Sequence, residues 1–494
     1  MIVSFLCIYY GGTMKRLLIS CLAIMLLVGN MSSAWAAKMP DWLPTGGIST
    51  SQNVLSNIRY GDNNTRLRIV LDLSAVANYS VSRENNDTRL VVNLNNIATT
   101  LQGAPALRSN VVKDIILGTY GSDTVQLIVD MKAPMKAPME AKVYTMANPH
   151  RLVIDIQKEY EEMQPWQIMP GLNYTRYLRV DNRGMLTAYV LEADRSKFDL
   201  QLSLAGDSIA SGRQKLKALA SAHQAVAAIN GGYFALDGSL IGNTRINGQT
   251  AGTTYFDRTS LGFMPDGTLK LATSQYYGVV EIAGQKVYLS GVNCPRGENN
   301  TILYNSLFGN YTGTNEFGTE YVVQNGKVIA INQANSFIPV DGQVISVHGK
   351  AQEAFTNVKI GDKISIGENF GPELDSASTI VGAGPELLRN GQLHVTAVQE
   401  QFPADIAKGR APRTALGIKA DGKIILMVID GRQSHSIGTT LTETAQLLQK
   451  FGAVNGFNLD GGGSSEMVLQ GQILNSPSDG GERPVGSGLI LTRR

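Results

Sequence analysis

A carboxylate followed by three consecutive glycines is the most distinctive chemical feature near the C-terminal end of this sequence. The segment 458–465 reads Asn-Leu-Asp-Gly-Gly-Gly-Ser-Ser, with the carboxylate at Asp460. Glycine allows positive φ and close approach to the backbone, so such a loop can present N–H groups and hydroxyls to an anion or a sugar. It lacks the lysine of a phosphate-binding P-loop. A tight turn between two strands is the alternative interpretation.

Arginines and a second carboxylate lie in the same C-terminal region. They are Arg413, Arg432, Arg483 and Asp430. The guanidinium fork matches the oxygens of phosphate and carboxylate groups, which favours an anionic ligand. A carboxylate beside that ligand could activate water or stabilise a cationic sugar transition state. The same residues could instead form Arg–Asp pairs that only stabilise the fold.

Most of these residues are predicted to lie where a strand ends. Apolar runs at 424–429 and 453–459 predict buried strands, and each run is followed by an aspartate. A third apolar run, 225–229, ends in Asn230 and Gly231. Because rigid elements can hold a site in place, we expect these strand ends to position the chemistry.

Two helices are predicted, one in this C-terminal region and one earlier in the chain. The sequence from Thr440 to Glu443 is that of a capping box, and Gly452 marks the end of the helix that it begins. Glu443 is therefore either a capping carboxylate or a catalytic one. Apolar residues at helical spacing predict the other helix over 209–223.

The composition favours a β-rich protein with more than one domain. The chain has 494 residues, of which 52 are glycine, and Asn-Gly and Asp-Gly pairs typical of hairpin turns separate its apolar runs. We predict an α+β, β-rich fold, in which a small all-β sandwich precedes a larger domain of mostly antiparallel strands with a few helices. The 43 basic and 41 acidic residues nearly cancel, which argues against a nucleic-acid partner.

The first 36 residues predict a signal peptide, with Met14 as an alternative start. A basic pair precedes an apolar core at 17–28, and small residues favour cleavage after Ala36. The core is shorter than the roughly twenty residues that span a membrane, and no later segment is long and apolar enough to do so. We expect an exported protein in the periplasm, the cell envelope or the extracellular space.

Residues 51–157 contain an internal repeat. The run 66–73 matches 125–131, and the run 89–94 matches 151–156. Short alternating, β-branched runs predict strands, and their repetition predicts a small β-sandwich.

This first domain resembles the AMIN domain, a family that precedes cell-wall amidases. The resemblance rests on the repeated strand signatures and on Asn148-Pro149-His150 before the last strand. It implies binding to peptidoglycan or another wall polymer rather than catalysis, and a β-sandwich spacer is the alternative. A polar segment with proline predicts a linker at 158–170, followed by a second domain over 171–494.

The second domain resembles the phosphodiester glycosidase family. The motifs that carry the resemblance occur in the family's order: Asn230-Gly-Gly-Tyr-Phe, Val381-Gly-Ala-Gly-Pro385, Arg413-Thr414, Asp430-Gly-Arg432, the helix start 440–443, the segment 458–465 and Arg483-Pro-Val485. The family implies hydrolysis of a sugar-1-phosphodiester, of the GlcNAc-1-phosphate type, at the glycosidic C–O bond. The substrate would be an envelope or extracellular glycan.

With this reaction, the candidate residues receive expected roles. Asp460 is the expected nucleophile or base, Asp430 the second candidate, and Glu443 a third catalytic candidate. The expected substrate- and phosphate-binding residues are Arg413, Arg432, Arg483, Asn230, Gly231, Gly461, Gly462, Ser464, Ser465 and His435. No cofactor is expected to be required and no ligand spacing marks a metal site, although Ca²⁺ is compatible with the oxygen ligands present.

Two other functions remain open. The first is a non-catalytic envelope protein that binds the cell wall. The second is a serine hydrolase that uses Ser464 or Ser465 with His435 or His348, although neither serine lies in a Gly-x-Ser-x-Gly motif. Cys294 is the only cysteine after the predicted signal, and its neighbours form no metal-binding pattern.

Overall fold

The computed structural model describes residues 52–494, except 64, 110, 122, 133, 136–140, 182, 255 and 283. The predicted signal peptide, with Met14 and the cleavage site after Ala36, lies outside the described residues. Strands make up 51% and helices 9% of the structure, in several antiparallel sheets. These proportions confirm the β-rich fold class.

The N-terminal part is a sandwich of two sheets with strand orders β5-β1-β2-β9-β8 and β3-β4-β7-β6. Its strands are β1 (Asn53–Asp62), β2 (Arg66–Leu73), β3 (Asn78–Glu84), β4 (Arg89–Asn95), β5 (Ile97–Thr99), β6 (Val112–Tyr120), β7 (Thr124–Met131), β8 (Ala141–Met146) and β9 (Arg151–Gln157). Alternate side chains of both sheets, such as Leu67, Ile69, Leu127 and Val129, form one apolar core. Strands from the two halves of the sequence repeat pair with each other: β2 of the first half pairs with β9 of the second, and β4 of the first pairs with β7 of the second.

The remaining chain forms five further sheets. Its first elements are β10 (Tyr160–Met169), β11 (Leu172–Asp181), β12 (Gly184–Ala193), β13 (Phe198–Leu204), α1 (Leu216–Ala222), β14 (Ala227–Asn230), β15 (Thr244–Ile246), β16 (Gln249–Gly252), β17 (Arg258–Phe263), β18 (Leu269–Ser274), β19 (Tyr277–Ile282), β20 (Gln285–Tyr288), β21 (Gly291–Val292), β22 (Thr301–Asn305), β23 (Gly318–Gln324), β24 (Lys327–Asn332), β25 (Gly342–His348) and β26 (Ile364–Asn369).

The last elements of the chain are β27 (Thr379–Gly382), β28 (Glu386–Arg389), β29 (Gln392–Leu393), α2 (Ala404–Lys408), β30 (Arg413–Lys419), β31 (Ile424–Ile429), α3 (Leu441–Lys450), β32 (Ala453–Asn458), β33 (Met467–Leu469), β34 (Gln472–Ile473) and β35 (Ser487–Arg493).

Two of these sheets position the candidate site. The larger has the order β10-β11-β12-β31-β30-β32-β28-β29, and the smaller has the order β13-β35-β14-β33-β34. Every residue of β31 is buried, because Leu426 and Val428 face a core shared with the smaller sheet while Ile425 and Met427 face the core beneath α3. Burial on both faces explains why this strand reads as a continuous apolar run.

Two predicted elements differ from the structure. Residues 158–170, predicted as a linker, contain strand β10, which pairs antiparallel with β11. The predicted helix over 209–223 is interrupted: Ile209–Ser211 forms a 3-10 turn and α1 begins only at Leu216, because Gly212 adopts φ 79° and Gln214 forms a bridge to Val485. Pairing with β11 determines the structure in the first case, and the bridge to Val485 contributes in the second.

The N-terminal sandwich and the following sheet share apolar contacts. Val180 of β11 belongs to the sandwich core, and Leu178 and Met185 pack against it. Residues 52–494 accordingly cluster as a single compact unit. Within the part of the chain that the structure describes, no helix has the length and apolar character to cross a membrane.

Candidate active site

The candidate site lies where strands of the two sheets end together. Arg413 is the first residue of β30 and pairs with Ile429, the last residue of β31. Asp430 directly follows Ile429 and therefore lies next to Arg413 along the edge of the sheet. The backbone N–H of Asp460 donates to the carbonyl of Gly231 at 3.1 Å, which joins the ends of β32 and β14. The strand ends that the sequence predicted are therefore neighbours in space.

Asn230 ties these elements together. Its Nδ2 donates to the carbonyl oxygen of Asp460 at 2.7 Å, and its Oδ1 accepts from Thr414 Oγ1 at 2.7 Å and from the N–H of Glu466 at 3.2 Å. The side chain is almost completely buried. Gly231 lies beside Ser487, whose hydroxyl would collide with any added Cβ. These two residues shape the site through protein contacts.

The three arginines surround the three glycines. A Cβ added to Gly461 would lie 3.9 Å from Arg413 Cδ, and one added to Gly462 would lie 3.4 Å from Arg432 Nη1. A Cβ at Gly463 would collide with the guanidinium of Arg483 and with the carboxylate of Asp479. All three arginines therefore lie beside one short loop, and at Gly463 the close approach of Arg483 requires a residue without a side chain.

The arginines differ in how the protein engages them. Arg413 is buried and donates to the backbone carbonyls of Ile406 at 3.0 Å, Gly409 at 2.6 Å and Thr439 at 3.3 Å. Its burial lowers the pKa of the guanidinium below the ordinary value. Because backbone carbonyls carry no net charge, these contacts leave the positive charge of Arg413 unneutralised.

Arg432 and Arg483 are more accessible. Arg432 is exposed and adopts φ 60°, in the left-handed region. Arg483 is partly exposed and pairs with Asp479, with Nε at 2.7 Å and Nη2 at 2.6 Å from Oδ2. Asp479 therefore holds the Arg483 side chain against the glycine loop.

Asp460 is a partly exposed carboxylate in a confined position. Its Oδ1 accepts from the N–H of Gly461 at 2.9 Å. Burial raises the pKa of Asp460 to about 6, although the Ser464 hydroxyl, the Gly461 N–H and the charge of Arg483 act in the opposite direction. A carboxylate with this pKa is mostly ionised at neutral pH and can still exchange a proton there.

Asp430 is buried and pairs with the partly exposed His435. Its Oδ2 lies 3.0 Å from His435 Nε2, and its Oδ1 accepts from Asn475 Nδ2 at 3.1 Å and from the N–H of Ser476 at 3.0 Å. Asn475 also donates to the carbonyl of Ser465 at 3.0 Å. Asn475 thus links the Asp430–His435 pair to the end of the glycine loop.

Ser464 and Ser465 are both buried, and no hydrogen bond joins either of them to a histidine among the described residues. Ser464 instead lowers the pKa of Asp460. His435 bonds to Asp430, and the ring of His348 stacks on Phe317. This geometry does not favour the serine hydrolase alternative.

Glu443 lies in a separate charged cluster at the start of α3. Its side chain completes the capping box with Thr440 and forms ion pairs with Arg183 at 2.7 Å and Arg410 at 2.8 Å. Burial alone would raise its pKa, but Arg410 and the N–H of Thr440 outweigh burial and hold the pKa below the ordinary value. Both oxygens are engaged, which favours the capping interpretation over the catalytic one.

The sequence interpretation missed four side chains at the site. Tyr233 donates to the carbonyl of Gly384 at 3.0 Å, and burial, followed by the charge of Asp460, raises its pKa. Asn475 and Asp479 lie in a polar loop with no distinguishing pattern. Glu466 is buried, and burial, with Glu482 nearby, raises its pKa to about 8. Of the four, only Tyr233 lies in one of the family motifs, Asn230-Gly-Gly-Tyr-Phe.

No group of three or more His, Cys, Asp and Glu side chains that could hold a metal ion occurs among residues 52–494 as far as the structure describes them. The carboxylates of the site point to arginine, histidine, asparagine or backbone N–H groups instead.

Two family models match the chain. Residues 317–492 match the phosphodiester glycosidase family, and residues 57–156 match the AMIN domain. The first match contains Arg413, Asp430, Asp460 and Arg483 and begins after Asn230 in the sequence. Both matches confirm the resemblances drawn from the motifs.

The curated relatives match only part of the chain. Over 177 residues the chain is 29% identical to the N-acetylglucosamine-1-phosphodiester alpha-N-acetylglucosaminidase of Mus musculus, covering 32% of this chain and 33% of the relative. The chain thus spans only about a third of the length of that enzyme.

Two solved structures share the fold over most of the chain. A hypothetical protein from Synechocystis is 23% identical, with a TM-score of 0.60 over 90% of this chain and 81% of its own. A candidate exported protein of Burkholderia pseudomallei is 21% identical, with a TM-score of 0.56 over 84% of this chain and 96% of its own. Identities at this level show the fold alone.

Proposed function

Since this chain carries a phosphodiester glycosidase domain preceded by an AMIN domain, we propose that it is an exported glycosidase that hydrolyses a sugar-1-phosphodiester in an envelope or extracellular glycan. The observation that carries the proposal is the arrangement of three arginines around a glycine loop that begins at a carboxylate, Asp460. This arrangement supports phosphate binding directly beside a group that can act on the sugar.

The glycine loop and the arginines bind the phosphodiester. Arg413 and Arg432 approach Gly461 and Gly462, and Arg483 is held at Gly463 by Asp479. When the bond between the anomeric carbon and the phosphate oxygen breaks, its electron pair passes to that oxygen. The arginines stabilise the charge that develops on the phosphate, so the leaving group needs less protonation than an alkoxide would.

Asp460 acts at the anomeric carbon. It either attacks this carbon directly, forming a glycosyl-enzyme ester that water then hydrolyses, or removes a proton from the water that attacks the carbon. Both routes end with free sugar and a phosphomonoester. Its pKa of about 6 suits either role near neutral pH.

Asp430 serves as a positioning residue for His435. The buried carboxylate fixes one ring nitrogen of His435, while the imidazole itself is 39% exposed. His435 then contacts the substrate phosphate or sugar hydroxyls, with Arg432 in the same loop.

Turnover of UDP-GlcNAc and of a GlcNAc-1-phosphate methyl ester tests the reaction. We expect free GlcNAc from the wild-type protein and none from Asp460→Asn, whose side chain has nearly the same shape. Equal release by both proteins would refute the role of Asp460. No release from these substrates or from purified wall and capsule polymers would favour the non-catalytic binding protein instead.

The N-terminal sandwich binds the cell wall and keeps the enzyme at the envelope. The AMIN domain match supports this role and an exported location. Pelleting with purified peptidoglycan sacculi tests it: we expect the mature chain to sediment with sacculi, and an unchanged supernatant fraction would contradict wall binding.

No metal or other cofactor is required for the proposed reaction, because the arginines supply the positive charge that neutralises the phosphate. Dialysis against EDTA should leave turnover unchanged. Loss of activity that added Ca²⁺ restores would instead identify a calcium requirement.

A further inference from the structure

Two neighbouring hollows flank the turn that follows the Asn230 strand end. They have volumes of about 480 Å³ and about 470 Å³, and Ser239 lines both. The first is lined by Asp237, Arg296, Tyr304, Tyr311 and Asn315, among others, and the second by Phe256, Asp257, Gln275 and Tyr277, among others. Volumes of this size are typical of sites for small ligands.

Exposed aromatic rings line both hollows. Tyr311 is 54% exposed, Tyr277 is 61% exposed and Phe256 is 39% exposed. Large apolar rings that stay accessible in a concave surface commonly mark a binding site. The face of an aromatic ring packs well against the C–H face of a sugar ring, and the tyrosine hydroxyl can bond to a sugar hydroxyl.

The hollows carry little net charge. The charged side chains that line them are Asp237 and Arg296 in one and Asp257 in the other, and amide and hydroxyl groups supply the remaining polar atoms. The glycine loop, by contrast, is surrounded by three arginines. This separation favours neutral sugar residues in the hollows and the phosphate at the loop.

A layer of packed side chains connects the second hollow to the candidate site. The guanidinium of Arg258 lies 4.6 Å from the ring centroid of Phe256 and 4.0 Å from that of Phe402. The Phe402 ring in turn packs on Tyr233, with centroids 5.6 Å apart. Tyr233 is close enough to Asp460 and Arg413 to interact electrostatically with both. A continuous chain of packed side chains therefore runs from Phe256 in the hollow to Tyr233 at the candidate site.

We propose that the two hollows form a groove, lined by Phe256, Tyr277 and Tyr311, that binds successive neutral sugars of a glycan chain extending from the cleaved phosphodiester. The preferred substrate of this site is then an oligosaccharide or polymer, of which UDP-GlcNAc and the methyl ester reproduce only the cleaved bond. The inference rests on the proposed function for the position of the cleaved bond, whereas binding in the groove requires no turnover.

Calorimetric titration of Asp460→Asn protein with chitohexaose, cellohexaose and soluble peptidoglycan glycan strands tests the groove. We expect at least one of these glycans to bind. Tyr277→Ala and Tyr311→Ala, each added to Asp460→Asn, should weaken that binding about tenfold, the scale of one aromatic contact. Tyr277→Phe should retain it, because the ring is kept.

Tyr288→Ala is the matched control, because Tyr288 is 70% exposed in the same domain and lines neither hollow. Equal weakening by Tyr288→Ala, or no binding of any of the three glycans, would overturn the groove. Since the titration involves no catalysis, these outcomes are distinct from a failure of the wild-type protein to release sugar.

Discussion

The ionised form of Asp460 is the one proposed to act in catalysis, but burial of that charge lowers the stability of the fold. Its folded-state pKa of about 6 lies above the ordinary value of 3.8, so the fold favours the protonated form. Stability from this residue is therefore greatest at low pH and falls as the pH rises from about 4 to about 6. A displacement of this size corresponds to about 3 kcal/mol at most.

We predict that Asp460→Asn stabilises the protein at pH 7.5 by about 1–3 kcal/mol, because the uncharged amide avoids the cost of burying an ionised group. Urea unfolding at pH 4 and at pH 7.5 measures the effect. The gain should largely vanish at pH 4, where the wild-type carboxyl is protonated. A gain of the same size at both pH values would show that ionisation of Asp460 is not its cause.

The same pKa predicts the acid limb of the pH–rate profile. Because the ionised form of Asp460 is the active one, kcat/KM on a GlcNAc-1-phosphate ester should fall about tenfold per pH unit below pH 6. Activity that stays constant down to pH 4.5 would exclude Asp460 as the group that must be ionised.

At the scale of elements, the glycine loop can lie against the Arg483–Asp479 pair because Gly463 has no side chain. A methyl group at Gly463 would collide with both members of the Arg483–Asp479 pair. We predict that Gly463→Ala lowers kcat/KM by about 10²-fold, the usual result of misplacing a binding group by about 1 Å.

Gly481→Ala is the control for this change, since Gly481 lies in the same region and an added Cβ would meet nothing within 4 Å. Its kcat/KM should equal that of the wild type. Far-UV circular dichroism of both variants separates a local effect from loss of the fold. Full activity of Gly463→Ala would show that the arginine need not lie against the loop.

Helix α3 provides a prediction about stability alone. Thr440 caps the helix through its hydroxyl, which accepts from the N–H of Glu443 at 3.3 Å. Thr440→Ala should lower the unfolding free energy by about 1 kcal/mol. Thr442→Ala, at an exposed position of the same helix, should change it little. Thermal melts of the two variants make the comparison, and equal melting temperatures would argue against the cap.

At the scale of the whole molecule, the N-terminal sandwich covers apolar surface of the following sheet. Val180 belongs to the sandwich core, Leu178 and Met185 pack on it, and the N–H of Lys158 donates to the carbonyl of Thr65 at 3.0 Å. A chain that begins at residue 158 exposes these side chains, at a cost of about 1.5–3 kcal/mol for each one fully uncovered.

We therefore predict a lower melting temperature for residues 158–494 than for residues 52–494, which retain the sandwich. Differential scanning fluorimetry of the two chains makes this comparison. Identical melting temperatures would mean that the two parts are thermally independent in spite of their shared core.

Local patterns in the sequence determined individual strands and helices and the capping box of α3. The apolar run at 424–429 specified a strand buried on both faces, and the spacing of Thr440 and Glu443 specified a capping box. These features depend on residues close together in the chain, so sequence alone could reveal them. The motifs also indicated the family whose model matches residues 317–492.

Only the tertiary structure decided which side chains meet. The contact of Arg483 with Gly463, the hydrogen bond from Asn475 to Asp430 and the ion pair of Glu443 with Arg183 join residues from 20 to 260 positions apart. Strand β10 likewise depends on its partner β11 rather than on its own polar sequence. Such contacts arise from packing of whole sheets, which local spacing does not encode.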